Sequence, residues 1–263
     1  MSAVAAAAVA RLADSPRLDK VAGWRRTNYR GREVSLAGGS GAVAGALAGA
    51  LLEPPGYRGA ALLAGGAAAV AGGYDDLLAP RAESAGDKGF AGHLAAIRAG
   101  RVSGGVVKVA VIGAAALVAA GRLANPGDGL VNRALRAGVI AGSANLLNLL
   151  DLRPGRAGKV AVTVGLLGAN GPAAGMSAAG AGAAAGILPG DLGERTMLGD
   201  LGANTLGAMI GVRLAAGSVP VRMAALAVIG SITAISERVS LSKVIDNTPA
   251  LRRIDQLGRA PAP

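Results

Sequence analysis

From Val160 to Gly190 the chain runs 31 residues without a charged side chain, and Asn170-Gly171-Pro172 sits inside that run. A helix needs only ~20 apolar residues to cross the ~30 Å hydrocarbon core of a bilayer. Asn-Gly-Pro is a turn signal, so the run predicts two spans folded back as a hairpin. Other uncharged stretches extend the pattern: Val34–Leu52 has 19 residues and Gly59–Tyr74 has 16. As a helix the former would measure about 28 Å. Further spans are predicted near Ser103–Gly121, Asn132–Leu150, Leu201–Ala216 and Val221–Ser236. Lys108, Arg133 and Arg136 fall near span ends, where long basic side chains can reach the interface. Met1–Ala13 would be only ~20 Å long and lacks the basic start of a secretory leader; it reads as a truncated first span or an interfacial segment. The expected fold is therefore all-α, a polytopic membrane bundle of about nine spans. Residues 1–263 form one domain in this reading, with 237–263 a cytoplasmic tail.

Composition supports this class and removes others. Mean hydropathy is +0.46 with 16% charged residues, too apolar for a disordered chain and unusual for a soluble domain. Aromatic residues make up 2% and Cys is absent, which excludes a disulfide scaffold, a cysteine zinc site and thiol catalysis. Small residues dominate instead, with 61 Ala and 43 Gly. Gly41, Gly45 and Gly49 repeat at helical spacing, a pattern that lets helix backbones approach closely in lipid.

Charge orients the chain. The segments 14–33, 75–101, 151–159, 189–200 and 237–263 hold 19 of the 27 Lys and Arg, whereas the alternate loops hold only Arg58 and Arg122. By the positive-inside rule the first set faces the cytoplasm. Fourteen of the 16 acids lie there too, Glu53 and Asp128 being the exceptions. Carboxylates gathered at one boundary suit a surface-facing active site better than a transporter, whose ionisable groups lie near the midplane. The net charge of +11 follows topology, and with so few aromatics nucleic acid is not an expected partner. No G-x-G-x-x-G occurs, and Lys159 is followed by Val160, so neither a dinucleotide fingerprint nor a P-loop is present.

Four constellations carry candidate chemistry on that face. Gly73-Tyr74-Asp75-Asp76 places adjacent carboxylates at a span end, where they call for a proton or a hard cation such as Mg²⁺. Lys88-Gly89, inside Asp87–Leu94, offers a mobile point charge for phosphate. The neighbouring His93 is the single histidine and reads as a surface residue. Asn145, Asn148 and Asp151 recur at i, i+3 and i+6 on one side of a helix, followed by Leu152-Arg153-Pro154-Gly155-Arg156. Met197–Asn204 sets Asp200 between glycines as the next span begins.

In order and placement these motifs resemble the polyprenyl-phosphate N-acetylhexosamine-1-phosphate transferases, the family that includes phospho-N-acetylmuramoyl-pentapeptide transferase. The resemblance runs from about Arg26 to the end of the chain. It implies Mg²⁺-dependent transfer of a phospho-amino-sugar from a UDP donor to polyprenyl phosphate, with release of UMP, in cell-envelope glycan synthesis such as that of peptidoglycan. Asp75 and Asp76 match the family's Asp pair, one of them proposed to activate the lipid phosphate. Asp200 matches its Mg²⁺-binding Asp, and Lys88 a phosphate-neighbouring Lys. Asn148 and Asp151 match the start of its Asn-x-x-Asp-Gly-x-Asp-Gly motif. The expected catalytic residues are thus Asp75, Asp76 and Asp151, with Asp200 on the metal. Lys88, Asn145, Asn148, Arg153 and Arg156 are the expected substrate contacts. The expected partners are polyprenyl phosphate, a nucleotide-sugar donor and the bacterial inner membrane, with a homodimer left open.

The chain also departs from the family. Pro154 stands where the family's second Asp would be, Arg153 and Arg156 are added, and the late histidine-rich motif is missing. The alternative expectation is a catalytically altered relative that binds a lipid carrier or envelope-assembly partners. In the tail, Leu251, Ile254 and Leu257 share a helical side beside Arg252 and Arg253, a pattern suited to an anionic leaflet.

Overall fold

The computed structural model describes residues 2–14, 24–78, 104–171 and 173–261. Among them are eleven helices and one short β-hairpin. Helix α1 (Ser2–Ala13) precedes strands β1 (Arg25–Thr27) and β2 (Glu33–Ser35), followed by α2 (Ala37–Ala50) and α3 (Pro55–Leu77). Helices α4 (Gly104–Arg122) and α5 (Leu130–Leu150) come next, then α6 (Arg156–Leu167) and α7 (Ala174–Leu192). The chain ends with α8 (Gly199–Ala215), α9 (Val219–Ser236), α10 (Leu241–Asn247) and α11 (Pro249–Gln256).

Helix α8 is the axis of the bundle. It packs most heavily on α5 and α3 and also touches α2, α4, α6, α7 and α9. Three glycines permit this crowding. A Cβ at Gly202 would come 2.8 Å from the Gly39 Cα, one at Gly207 2.7 Å from the Ala144 Cα, and one at Gly211 2.6 Å from the Ile140 Cα. Real side chains do not tolerate such distances, so backbone lies on backbone along much of α8. The Gly41, Gly45 and Gly49 repeat serves α2 in the same way, and all three are buried against α1 and α7.

The hairpin turns at Gly31, where φ is +76°. Asn28 Oδ1 accepts from the Arg30 and Arg32 amides at 2.8 and 3.0 Å, an Asx arrangement that substitutes for backbone pairing in the turn. β1 and β2 pair antiparallel, with Arg26 opposite Val34. Ser35 then bonds to the α7–α8 connection, donating to the Arg195 carbonyl at 3.1 Å and accepting from the Met197 amide at 2.8 Å. The hairpin is thereby fixed over the ends of α3, α5 and α7.

At the opposite end, Arg136 is almost wholly buried; it donates to the last helical carbonyl of α8, Ala215, at 2.5 Å and to Asp128 at 2.8 Å. The arginine thus closes the C-terminus of α8, as a cation there should.

Most sequence expectations place the helices correctly, and the 160–190 run does split into α6 and α7. Two refinements follow. The stretch from Val34 does not begin as helix, because Val34 and Ser35 complete β2 and α2 starts at Ala37. Helices α1, α2 and α6 have 12, 14 and 12 residues, short of the ~20 that span a bilayer. Two helices, α4 and α9, are long and apolar enough to cross one. Only Arg222 and Ile229 of α9 are buried, while Met223, Val228 and Ile235 are exposed.

Replacing Gly45 with Leu would drive a side chain into Ala6 and Ala183, 2.8 and 3.0 Å from the Cβ position. Overpacking of this kind costs about 1–3 kcal/mol, so the thermal midpoint in detergent should fall by several degrees. Gly66→Ala, which meets nothing within 4 Å, should leave it unchanged or raise it.

Candidate functional site

The last turn of α3 and the first turn of α8 meet at a glycine. A Cβ at Gly72 would lie 2.7 Å from the Leu201 amide nitrogen, so only a bare backbone lets the two helices come this close. That approach brings Asp76 Oδ2 within 2.8 Å of the Leu201 amide, which donates to it. A carboxylate bonded to an amide in the first turn of a helix meets both its free donors and its dipole. Arg26 of β1 donates to the Asp76 carbonyl, and its guanidinium lies 4.0 Å from the Asp76 carboxylate. Asp76 is buried. Gly199, with φ +59°, completes the junction: a Cβ there would sit 2.8 Å from Asp76 Oδ2.

Asp75 and Asp200 face one cation. Lys108 of α4 donates to Asp75 Oδ2 at 3.1 Å and also to Asp200 Oδ2. The two carboxyl groups lie close enough to shift each other's titration. Asp75 lies in the last turn of α3 and Asp200 in the first turn of α8, each just outside the apolar stretches 59–74 and 201–216. Burial, then the hydrogen bond with Asp75, push Asp200 up to about 7, against the pull of Lys108. For Asp75 burial acts upward, but the hydrogen bond from Asp200 and the Lys108 charge hold it below the usual carboxylate range.

Asp151 caps the end of α5, and Asp191 approaches from the end of α7. Burial raises Asp151 well above the ordinary carboxylate range, and the charges of Asp191, Asp200 and Asp76 raise it further, while the Gly199 amide opposes them. Asp191 Oδ2 accepts from the Gly155 amide at 2.9 Å, a contact formed where Gly155 turns with φ +72°. Asp151 and Asp191 line a cavity of about 180 Å³ roofed by Thr27, Asn28 and Tyr29 of the hairpin. Glu194 lines it as well, although its φ of +54° is unusual for a residue with a side chain. Its carboxylate accepts from Arg30 at 2.6 Å and from Asn28 at 2.7 Å, contacts that offset the backbone strain.

The structure places Asp75, Asp76, Asp151 and Asp200 at one end of the bundle. Asn148 is half-buried one turn before Asp151, and Asn145 is exposed on α5. Lys88 lies outside the described residues. Arg153 stacks over Tyr29, 4.0 Å from the ring centroid. Arg156 has a different environment from an open substrate contact: it is buried, bonded to both Asp255 oxygens at 2.7 and 3.1 Å and to Ser242 at 3.0 Å. Its guanidinium fastens the tail to the start of α6.

Sequence reasoning missed Asp191, Lys108 and Arg26. Asp191 had a usable signal, since Gly190-Asp191-Leu192-Gly193 repeats the Gly199-Asp200-Leu201-Gly202 pattern. Lys108 had none; a lone Lys near a span end is indistinguishable from an interfacial one until α4 is packed against α3.

The donor set for a cation is all oxygen. Among the described residues no three acidic or histidine side chains converge on one metal position. Mg²⁺ does not require that, because it commonly takes one or two carboxylates and completes its shell with water and substrate phosphate. Asp200 and Asp75 suit that arrangement.

No family model matches the chain, and neither does any curated protein or solved structure.

Asp191 sets a pH dependence. Burial pushes it up to about 7 despite the Gly155 amide, whereas in the unfolded chain it titrates near ~3.9. The folded state thus binds the extra proton between these values, so its contribution is complete below pH ~4 and is lost as pH rises through about 7. Asp191→Asn keeps an oxygen for the Gly155 amide and removes the titration. The decline in thermal midpoint between pH 5 and 8 should be shallower in the variant; an identical slope would refute the assignment.

Proposed function

We propose that this chain is a polytopic inner-membrane sugar-1-phosphate transferase, divergent from the polyprenyl-phosphate N-acetylhexosamine-1-phosphate transferases it resembles. Its acid cluster would face the cytoplasm. The observation that carries this reading is an apolar groove of about 410 Å³ formed by α5, α6, α8 and α9. It runs along Leu146, Leu147 and Leu150 of α5, ending one residue from Asp151. A ligand with a long apolar chain and a phosphate head fits such a junction: chain in the groove, head among charged groups. The exposed apolar sides of α4 and α9 support a lipid environment, since a soluble surface rarely carries so much contiguous apolar area.

The chain's residues would divide the work. Asp200 and Asp75 would hold Mg²⁺, which when bound neutralises charge on the donor diphosphate. Lys108, between them, balances the acids in the resting site and is placed to meet phosphate. Asp76 is a positioning residue, because its bond to the Leu201 amide fixes the start of α8 and therefore Asp200. Asp151, with its raised affinity for a proton, can accept one from the lipid phosphate as its oxygen attacks the sugar phosphate and UMP leaves. Phosphoryl transfer depends mainly on such positioning and charge neutralisation. Leu251, Ile254 and Leu257 are exposed beside Arg252 and Arg253, in keeping with a tail lying on an anionic leaflet.

A second reading, a lipid-carrier-binding relative without transferase activity, is favoured by Pro154 and by the burial of Arg156 against Asp255. One assay separates the two. Purified protein receives polyprenyl phosphate, Mg²⁺ and a panel of UDP-sugars, and UMP release is followed. Transferase activity should appear with at least one donor and fall at least about 100-fold in Asp200→Asn. Retained binding of polyprenyl phosphate with no UMP above that variant, for every donor, favours the second reading.

A further inference from the structure

The end of the bundle away from the acid cluster has the opposite balance of charge. Its turns and helix ends, at 53–58, 122–136 and 213–222, hold six arginines against two acids, Glu53 and Asp128. Most of these cations have ordinary surroundings. Arg122 and Arg133 are exposed, Arg58 donates to the Glu53 carbonyl at 3.0 Å, and Arg213 donates to the Gly168 and Asn170 carbonyls at 3.0 and 2.6 Å. Arg222, at the start of α9, differs. It is 4% exposed, yet the one hydrogen bond it makes among the described residues is long, 3.4 Å from Nε to the Ser218 carbonyl. Its Nη1 is shut from solvent with no acceptor among the described residues, and so is Nε of Arg136. The charges of Arg136 and Asp128 both act on Arg222. Two guanidiniums therefore share one carboxylate, which Arg136 already engages at 2.8 Å. A buried cation short of a counter-ion is costly, and a buried N–H without an acceptor adds to the cost. What this corner lacks is an anion.

The surroundings of Arg222 narrow the choice of anion. Ser218 makes no side-chain cap bond at the start of α9, so the positive end of that helix faces the same corner. Guanidinium N–H groups match the spacing of phosphate oxygens. Val221, the residue before Arg222, lines the apolar groove bounded by α5 and α9, and Met223, the residue after it, is exposed. Donors for an anion thus adjoin an apolar face, which suits an amphiphile better than a free ion. We propose that Arg222 and Arg136 bind the phosphate headgroup of an anionic glycerophospholipid, in the leaflet away from the acid cluster. Phosphate oxygens accept from Arg222 Nη1 and Arg136 Nε, and the acyl chains lie along α9. Arg222 and Ile229 are the only buried residues of that helix, so the lipid joins α9 to α5 where the protein itself supplies little contact. The site rests on the membrane placement of the chain and not on the transferase chemistry.

The test uses the full-length protein, delipidated in neutral detergent and titrated with phosphatidylglycerol, phosphatidylcholine or inorganic phosphate. Native mass spectrometry counts bound lipid, and the thermal midpoint reports folding. Phosphatidylglycerol should bind at least about tenfold more tightly than phosphatidylcholine and raise the midpoint saturably, as a ligand of the folded state alone must. Arg222→Leu should weaken that binding about tenfold or more. Its lipid-free midpoint should equal or exceed that of the wild type, because the change removes a buried charge short of a counter-ion. The double variant Arg252→Gln/Arg253→Gln removes two exposed cations from the tail and should bind phosphatidylglycerol like wild type. Equal binding by wild type and Arg222→Leu overturns the proposal. So does a loss in the tail variant as large as in Arg222→Leu, which would mark a general attraction between a basic protein and anionic lipid. Inorganic phosphate raising the midpoint as far as phosphatidylglycerol overturns it too, by identifying a free-anion site. A lipid-free midpoint of Arg222→Leu well below wild type would show the guanidinium already satisfied within the fold, as by buried water, and has the same consequence. UMP release enters none of these readouts, so this site and the transferase reading stand or fail separately.

Discussion

Close contact of bare backbone around α8 is the constraint on which the rest of the molecule depends. Gly202, Gly207 and Gly211 let α2 and α5 lie directly on it, and Gly72 does the same for α3. A side chain at any of these positions would separate helices whose ends carry the functional groups. The wealth of Ala and Gly thus acquires a physical role: where large apolar side chains are scarce, short interhelical distances supply the contacts. Because α8 touches seven other helices, its position sets theirs.

Charge is then concentrated by that packing. Drawing the ends of α3, α5, α7 and α8 together crowds Asp76, Asp151, Asp191 and Asp200 into one region. The fold tolerates them by two means. Backbone amides of Leu201, Gly199 and Gly155 face Asp76, Asp151 and Asp191. Lys108 and Arg26 bring positive charge. Burial still pushes Asp191 and Asp200 up to about 7 against these contacts. The surplus of carboxylate over fixed cations at this end of the bundle is what the proposed Mg²⁺-phosphate chemistry rests on.

The hairpin and tail form a second layer over this cluster. Glu194 gathers Arg30 and Asn28, and Asp255 gathers Arg156 and Arg259. Lys159 closes the end of α11 by donating to the Ile254, Asp255 and Leu257 carbonyls at 2.9, 2.7 and 3.0 Å. Of the two added arginines, Arg156 is therefore engaged in holding the tail, while Arg153 lines the cavity at Tyr29.

The chain's sequence determined the helical class, the hairpin at Asn170–Gly171, the glycine face of α2 and the grouping of Asp75, Asp76, Asp151 and Asp200. Each is written locally, in uncharged run length, in a turn dipeptide, in i, i+4 spacing or in the side of the chain on which acids fall. Only the tertiary structure decided that Lys108 lies between Asp75 and Asp200, that Asp191 joins Asp151, that Arg156 belongs to the tail and that Tyr29 pairs with Arg153. Those are contacts between residues far apart in the chain, and they depend on how closely the helices approach. That distance is set jointly by the small residues on every facing helix, so no single stretch of sequence specifies it.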